Sequence, residues 1–250
     1  CFVLDILILL IANQCPRKSW GGGVFLERQD GVVKVRPPFR DIMQRALYGR
    51  PLDKLMILCE DEVAEAVIRG VLDELGPSLD WLSSNVEVGG DSGKTEFPGH
   101  VRTLAMLRQL ESTLFVLDGD AGDAIQEMVQ AAGMQSHAVQ VLRLPGDQGP
   151  EQWVWDRLLA SATELEGRLG VPPGRLQELL NRIGGIYAQA ADKPRNIAKN
   201  RLISLCDELK MDASSIARAV ARHESRHPGG SLKPFANELQ DKLNDWRSRT

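Results

Sequence analysis

Carboxylate side chains follow two apolar, strand-like runs of the sequence at the point where each run ends. The run KLMILC is followed by Glu60, Asp61 and Glu62, and the run TLFVL is followed by Asp118 and Asp120. Residues i and i+2 of an extended segment point the same way, so Asp118 and Asp120 can face one point. Ligands of open parallel sheets bind at the carboxyl ends of the strands. If the two runs are neighbouring strands, the sequence predicts that these carboxylates converge.

Carboxylates that converge repel one another, and a hard divalent cation with oxygen ligands offsets that repulsion. We therefore expect Mg²⁺ or Mn²⁺ at this edge of the sheet, with Ca²⁺ as a non-productive substitute. Each acidic group alone has a simpler explanation, because Asp and Glu favour the first turn of a helix and DGD is common in turns. The presence of such groups at two strand ends favours a metal site.

The apolar pattern predicts an α/β fold with a mostly parallel sheet flanked by helices, followed by an all-helical domain. Strand-like runs alternate with helix-like segments in residues 51–150, which is typical of a parallel sheet covered on both faces. Residues 151–250 have a helical pattern almost throughout. Residues 1–50 contain an apolar N-terminal strand and a hairpin signal at Asp30-Gly31. We therefore expect a strand and hairpin segment (1–50), a metal-binding domain (51–150) and a helical domain (151–250).

The bulk composition argues against several classes of protein. The 250 residues carry a formal net charge of -4, which gives no general attraction to nucleic acid or to membranes. Four cysteines have no CxxC spacing, which favours reduced thiols in a cytoplasmic protein. The apolar N-terminal stretch is shorter than the roughly 20 residues that span a bilayer. We expect a cytoplasmic protein without membrane contact, and the lack of an initiator Met favours the C-terminal portion of a longer chain.

Three strand ends together resemble a known domain. Glu60 after the first strand, Gly89-Gly90 after the second and DGD after the third are similar to the motifs of the TOPRIM domain of topoisomerases, primases, recombination proteins and OLD-family nucleases. Residues 54–160 look like the C-terminal region of an OLD (overcoming lysogenization defect) nuclease of the Gabija-like class. The resemblance implies metal-dependent cleavage of DNA by a two-metal mechanism, in phage defence. It also implies an ATPase domain in the same full-length chain, so residues 1–50 are expected to be the end of that region or an addition to the sheet. The N-terminal hairpin could also pair between subunits of a homodimer.

The resemblance implies roles for individual acids. Glu60 matches the glutamate of the first TOPRIM motif, and Asp118 and Asp120 match its DxD motif. The common first motif is EGxxD, whereas this chain has Asp61 in place of the glycine and Ala64 in place of the second acid. This departure leaves the ligands of the second metal open.

Further site residues are expected outside these motifs. Glu62 or Glu65 could replace the missing second acid, and Glu151, in GPE after the fourth strand, is a candidate ligand. The family places a lysine from the helical part near the site, and Lys233 in GGSLKPF is the candidate here. The predicted catalytic residues are Glu60, Asp118, Asp120 and Lys233, and the predicted metal ligands are Glu60, Asp61, Glu62, Asp118, Asp120 and Glu151.

Basic residues of the helical half are candidates for DNA contacts. Arg218, Arg222 and Arg226 recur every four residues, so they lie on one face of a predicted helix. Such a stripe could follow a phosphate backbone, and a solvated helix face is the alternative. A second basic group beside Pro194 consists of Lys193, Arg195, Lys199 and Arg201.

Two other functions fit the same residues. The stretch MILCEDEVAEAVIRGVLDEL also resembles the first strand and helix of a response-regulator receiver, in which Asp118 would accept phosphate and the helices would form an output domain. Against this reading, GDAGDA follows Asp118 where receivers have an apolar, proline-containing run, and the fourth strand carries Arg143 instead of a clear lysine. The third reading is a degenerate sheet domain that only binds a partner, which would bind no divalent metal.

Overall fold

The computed structural model describes residues 7–10, 23–29, 32–36, 55–76, 86–90, 95–106, 109–121 and 124–249. The chain divides into two units, residues 1–52 and residues 53–250. The short helix that the sequence pattern predicts over residues 39–49 lies outside the described residues.

The described strands of the first unit form an antiparallel sheet with the order β1-β2-β3. They are β1 (Leu7–Leu10), β2 (Gly23–Gln29) and β3 (Val32–Arg36). Gln29 of β2 pairs with Val32 of β3, which confirms the hairpin predicted at Asp30-Gly31. The apolar N-terminal stretch also contains a strand, as predicted, because β1 pairs with β2.

The described strands of the second unit form a sheet in which all neighbours run parallel. They are β4 (Leu55–Cys59), β5 (Val86–Gly90), β6 (Thr113–Leu117) and β7 (Gln140–Arg143), in the order β5-β4-β6-β7. Every residue of β4 and β6 is buried, as in central strands covered on both faces. Cys59 lies opposite Gly90 on one side and Val116 on the other, and Leu117 lies opposite Arg143. The predicted parallel sheet is confirmed, and the carboxyl ends of its strands meet at one edge.

Helices connect these strands in the predicted alternation. They are α1 (Glu62–Leu75), α2 (Phe97–Met106) and α3 (Ala124–Ala132), with short 3-10 turns at Leu110–Ser112 and Gly133–Ala138. The apolar residues of α1 recur at helical spacing, so Ala64, Val67, Ile68 and Val71 are buried on one face.

The second half of the chain is helical, as predicted. Its helices are α4 (Pro150–Ala160), α5 (Ala162–Leu169), α6 (Arg175–Ile186), α7 (Pro194–Leu209), α8 (Ala213–Arg226) and α9 (Lys233–Arg249). Pro194 is the first residue of α7, where its missing N–H does no harm. Asp212 caps α8 by accepting a hydrogen bond from the Ser215 N–H. The break at Ser161 was not predicted. Within the described ranges, no helix is long and apolar enough to cross a membrane.

One hydrophobic core joins the sheet to the helices of the second half. It includes Ile57 and Val116 of the sheet together with Leu165, Leu202 and Leu239 of the helices. The predicted boundary at residue 150 coincides with the start of α4, but the residues on its two sides share this core. The division of the second unit into two domains stays a prediction.

Helices α1 and α8 pack closely because Gly70 of α1 has no side chain. A Cβ on Gly70 would lie 2.7 Å from Ala221 Cβ and 2.7 Å from the Arg218 carbonyl oxygen. Real Cβ atoms do not approach other atoms so closely, since protein interiors are packed at van der Waals distances. The glycine therefore sets the separation of the two helices.

The arginine stripe of α8 faces the end of α1. Arg218 Nε lies 2.6 Å from Asp73 Oδ2, Arg222 Nε lies 3.0 Å from Glu74 Oε1, and Arg226 pairs with Glu74 Oε2. The Glu74 side chain is only 8% exposed, so it needs these cations more than a surface carboxylate would. These contacts show that the stripe takes part in the packing of α8 on α1. Its predicted contact with a phosphate backbone stays a prediction.

Candidate active site

The carboxyl ends of β4 and β6 bring Glu60 and Asp118 together. Each residue directly follows one of two paired central strands. Glu60 Oε1 accepts a hydrogen bond from the Asp118 backbone N–H, with an N–O distance of 3.1 Å. Glu60 is 6% exposed and Asp118 is 0% exposed. Two acids that are 58 positions apart in the sequence therefore share one buried place at the edge of the sheet.

The Asp118 carboxylate is buried without a hydrogen-bond partner for either oxygen among the described residues. Burial has the largest effect on its pKa, and the charges of Glu60, Asp61 and Asp120 act in the same direction. Together they raise the pKa of Asp118 from 3.8 to about 8, although Arg195 acts against them. A positive charge placed beside this group would favour its ionised form.

Gly119 allows the DGD segment to pack closely against the backbone of Gly146. A Cβ on Gly119 would lie 2.0 Å from the Gly146 carbonyl oxygen, so a larger residue fits only if the backbone moves. Gly146 itself has a φ of +100°, a conformation that favours glycine. Asp120 is half-buried, and its charge helps to raise the pKa of Asp118. The DGD sequence thus holds two acids close to one point.

Asp61 caps the first helix of the sheet region. Its Oδ1 accepts hydrogen bonds from the N–H groups of Val63 at 3.0 Å and Ala64 at 2.8 Å. This is the simpler explanation of an acid at a strand-to-helix junction. Glu62 is exposed in the first turn of the same helix. Metal binding by Asp61 and Glu62 stays a prediction.

Glu65, a candidate for the missing second acid, is held by other groups. Its Oε2 accepts a hydrogen bond from the Gly90 N–H at 2.9 Å, and its Oε1 lies 2.6 Å from Arg69 Nε. Gly90 lies close to the start of α1, because a Cβ on Gly90 would lie 2.3 Å from the Asp61 carbonyl oxygen. Glu65 therefore ties the start of α1 to the end of β5.

Cys59 directly precedes Glu60 and remains a thiol. Its Sγ donates a hydrogen bond to the Gly89 carbonyl oxygen at 3.4 Å. Burial raises the pKa of Cys59 well above its usual range, and the charge of Glu65 adds to this effect. A protonated thiol is a poor metal ligand, so the candidate ligands at this edge of the sheet are carboxylate oxygens.

A cleft of about 260 Å³ opens beside the acids, and we call it the α4–α7 cleft. Asp120, residues 147–149 before α4, and Glu151 and Gln152 of its first turn line one side. Pro194, Arg195 and Ala198 of α7 line the other side. The cleft therefore connects the DGD turn with the basic group that the sequence shows beside Pro194.

Glu151 is a second buried carboxylate, and it lines this cleft. It is 4% exposed, and its Oε2 has no hydrogen-bond partner among the described residues. Burial raises the pKa of Glu151, and the charge of Asp61 contributes, whereas Arg195 and Lys199 lower it. The position is consistent with its predicted role as a ligand, which stays a prediction.

Arg195 is the site residue that the sequence analysis did not identify as such. It lowers the pKa of both Asp118 and Glu151, so its charge acts on both buried acids. The sequence placed it only in a basic group next to Pro194. Its relation to the acids depends on contacts between α4 and α7, for which the sequence carries no local signal.

Lys233, the predicted catalytic lysine, is the exposed first residue of α9. The segment before it is fixed, because Ser231 Oγ accepts a hydrogen bond from Trp153 Nε1 at 3.1 Å and donates one to Glu224 Oε2 at 2.9 Å. Lys233 is not among the charges that shift the pKa of Asp118 or of the other buried acid. Its catalytic role stays a prediction.

The donor set fits a hard divalent cation by its chemistry. In the described part of the chain, no three side chains of His, Cys, Asp or Glu are grouped as a ready ligand set. Asp118 and Glu151 nevertheless offer buried carboxylate oxygens without hydrogen-bond partners among the described residues. Oxygen ligands completed by water suit Mg²⁺ and Mn²⁺.

Comparisons with known proteins find similarity only in structure. No protein-family model matches the sequence, and no curated protein matches it. The chain is similar to the solved C-terminal region of the Xanthomonas campestris pv. campestris OLD protein phased with platinum, with 12% identity, a TM-score of 0.46, and coverage of 80% of this chain and 95% of that chain. The same region phased with mercury gives 16% identity, a TM-score of 0.40, and coverage of 76% and 94%.

Proposed function

We propose that this chain is a nuclease that cleaves DNA with Mg²⁺ or Mn²⁺ held at the edge of its parallel sheet. The observation that supports the proposal is the buried Asp118 carboxylate, which has no hydrogen-bond partner among the described residues and lies against Glu60. Burying a carboxylate without such a partner is unfavourable, and a cation offsets this cost. The resemblance of the motifs to those of TOPRIM domains suggests DNA as the substrate and phosphodiester cleavage as the reaction.

The residues of the site would divide the work by position. Glu60 is oriented by the Asp118 N–H and would act as a ligand beside Asp118. Asp118 and Asp120 would hold the cation, and Glu151 would contribute from the α4–α7 cleft. A divalent cation held by these residues would supply Lewis-acid activation of water and would stabilise charge on the leaving oxygen. Lys233, in the family's pattern, would add a positive charge near the reacting phosphate.

The proposal is tested by nicking of supercoiled plasmid DNA by the whole 250-residue chain. We expect cleavage with Mg²⁺ or Mn²⁺, no cleavage with Ca²⁺ or EDTA, and loss of cleavage in Glu60→Ala and Asp118→Ala. Glu164→Gln, at an exposed acid of α5, is the matched control. Retained cleavage in either site variant would contradict the assignment of the site.

The receiver reading is tested in parallel. The unmodified aspartate of a receiver attacks the phosphorus of a phosphodonor and displaces its leaving group, so its oxygens need access to solvent, whereas Asp118 is 0% exposed. Incubation with a small phosphodonor followed by intact-mass measurement would detect a phospho-aspartate. We expect no adduct, and an adduct that Asp118→Ala removes would favour the receiver.

The proposal extends to the longer protein. By its resemblance the chain would be the nuclease part of an ATPase–nuclease that acts in phage defence. A homodimer is also proposed, because β1 and β3 are the edge strands of the described N-terminal sheet and edge strands offer unpaired backbone groups. Light scattering after size-exclusion chromatography measures the oligomeric state, and a monomer at all concentrations would contradict the dimer.

A further inference from the structure

The α4–α7 cleft contains charges of opposite sign that are not paired with each other. Glu151 Oε2 has no hydrogen-bond partner in the described part of the chain. Across the cleft, the exposed Arg195 forms no hydrogen bond or ion pair through its side chain with any described residue. Several other arginines are paired, and Arg182 and Arg218 each lie 2.6 Å from a carboxylate oxygen.

Gly149 keeps the space between these two groups open. A Cβ at this position would lie 3.2 Å from Glu151 Oε2 and 4.0 Å from Arg195 Nε. The backbone of Gly149 has φ of -62° and ψ of 163°, which other residues adopt without strain. The lack of a side chain at Gly149 therefore matters for the space between Glu151 and Arg195 and not for the backbone conformation.

The first turn of α7 adds positive potential to the same side. Lys193 is the N-cap of α7 and makes no side-chain cap hydrogen bond. The N–H groups of a first helical turn lack intrahelical acceptors and carry partial positive charge. Arg195 and Asn196 supply such groups after Pro194, which has none. A negatively charged oxygen beside Arg195 would therefore interact with both the guanidinium and the backbone N–H groups of the first turn of α7.

We infer that the α4–α7 cleft is a phosphate-binding subsite in which Arg195 holds a phosphodiester of duplex DNA next to the buried acids. The inference rests on the proposed function, which supplies DNA as the ligand. A guanidinium binds two phosphate oxygens at once, which fixes the orientation of the phosphate as well as its position. The arginines of α8 are engaged with α1, so they do not compete for this role.

The test is a binding experiment that does not depend on cleavage. Fluorescence anisotropy of a labelled DNA duplex is measured with the whole chain in Ca²⁺ at several salt concentrations. We expect Arg195→Ala to weaken DNA binding about tenfold, which is the effect of one charge-assisted contact. The slope of the logarithm of the binding constant against the logarithm of the salt concentration, here called the salt slope, should decrease in magnitude by about one. Arg195→Lys keeps the positive charge but lacks the planar guanidinium that binds two oxygens at once, so its DNA affinity should lie between those of the wild type and Arg195→Ala. Arg168→Ala, at an exposed arginine of α5, is the matched control.

A steric variant keeps the inference testable without removing a charge. Gly149→Ala places a methyl group in the space between Glu151 and Arg195, so it should weaken DNA binding several-fold while the salt slope stays that of the wild type. Gly185→Ala, where a Cβ meets nothing within 4 Å, is its control. Circular dichroism and thermal unfolding confirm that both variants are folded.

The outcomes separate the inference from the proposed function. Wild-type binding that depends on Arg195, without cleavage in Mg²⁺, would support the subsite and contradict the nuclease. Cleavage by the wild type, with Arg195→Ala binding DNA like Arg168→Ala, would overturn the subsite and leave the nuclease in place. The absence of wild-type DNA binding at low salt would also overturn the subsite.

Discussion

The Asp118→Asn variant should be more stable than the wild type at alkaline pH when no divalent cation is present. Asn has nearly the same shape as Asp and cannot ionise, so the substitution isolates the charge of this buried group. In the wild type the pKa of Asp118 is raised to about 8 in the folded protein, from 3.8 for an ordinary carboxyl. The folded state therefore holds the proton more tightly than the unfolded state, and stability falls as the pH rises.

The size of the effect follows from proton linkage. The Asp118 contribution is fully present below about pH 4, decreases by about 1.4 kcal/mol for each pH unit, and is lost as the pH rises through about 8. Between about pH 5 and about pH 8 the wild type should thus lose about 4 kcal/mol relative to Asp118→Asn. Other titrating groups are common to both proteins, so the difference between them reports Asp118.

Urea unfolding in EDTA across this pH range measures the effect, with Glu164→Gln as the control at an exposed acid. Ca²⁺ should then raise the stability of the wild type at about pH 8 and leave Asp118→Asn nearly unchanged, because ligands that bind only the folded state stabilise it. Equal pH profiles for the wild type and Asp118→Asn would refute the reasoning. They would mean that Asp118 is solvated or paired in solution.

Three substitutions test other parts of the fold and site. Gly119→Ala should destabilise the protein by about 2 kcal/mol, because its Cβ would lie 2.0 Å from the Gly146 carbonyl oxygen. A variant as stable in urea as the wild type would contradict this close contact. Gly70→Ala should also cost about 1–3 kcal/mol by forcing α1 away from Ala221, whereas an exposed helix glycine would gain about 1 kcal/mol from the same change. Asp61→Asn keeps a capping side chain, so its stability should change by less than about 1 kcal/mol while Mg²⁺-dependent nicking falls. If Asp61→Asn nicks DNA as fast as the wild type, Asp61 only caps α1 and does not bind the metal.

The elements that carry the acids were predictable because their signals are local. The strand TLFVL is mostly apolar and is buried throughout, and DGD follows it directly. The structure explains Gly119 by its close approach to Gly146, which the local sequence does not show. The amphipathic spacing of α1 likewise predicts its buried face. The alternation of strands and helices predicts a parallel sheet, but it does not predict which strands are neighbours. The pairing of β4 with β6, which places Glu60 beside Asp118, was the condition of the prediction, and the structure meets it.

The partners of charged groups were not predictable, because they come from distant parts of the chain. Arg218 pairs with Asp73, which is 145 positions away, so its spacing along α8 resembled a free basic stripe. Arg195 of α7 affects Asp118 at the end of β6, although the two residues are far apart in the sequence. Local spacing places such residues on a helix face, and only tertiary contacts show what that face meets.

The core shared by the sheet and the later helices has a consequence for how the chain can be divided and synthesised. A fragment that stops at residue 150 would keep Glu60 and Asp118 but would lack the apolar residues that α5, α7 and α9 contribute to the core of which Ile57 and Val116 are part. On the ribosome, the same incompleteness lasts until those helices have emerged. The acids of the sheet edge therefore take up their final surroundings only after α9 has emerged.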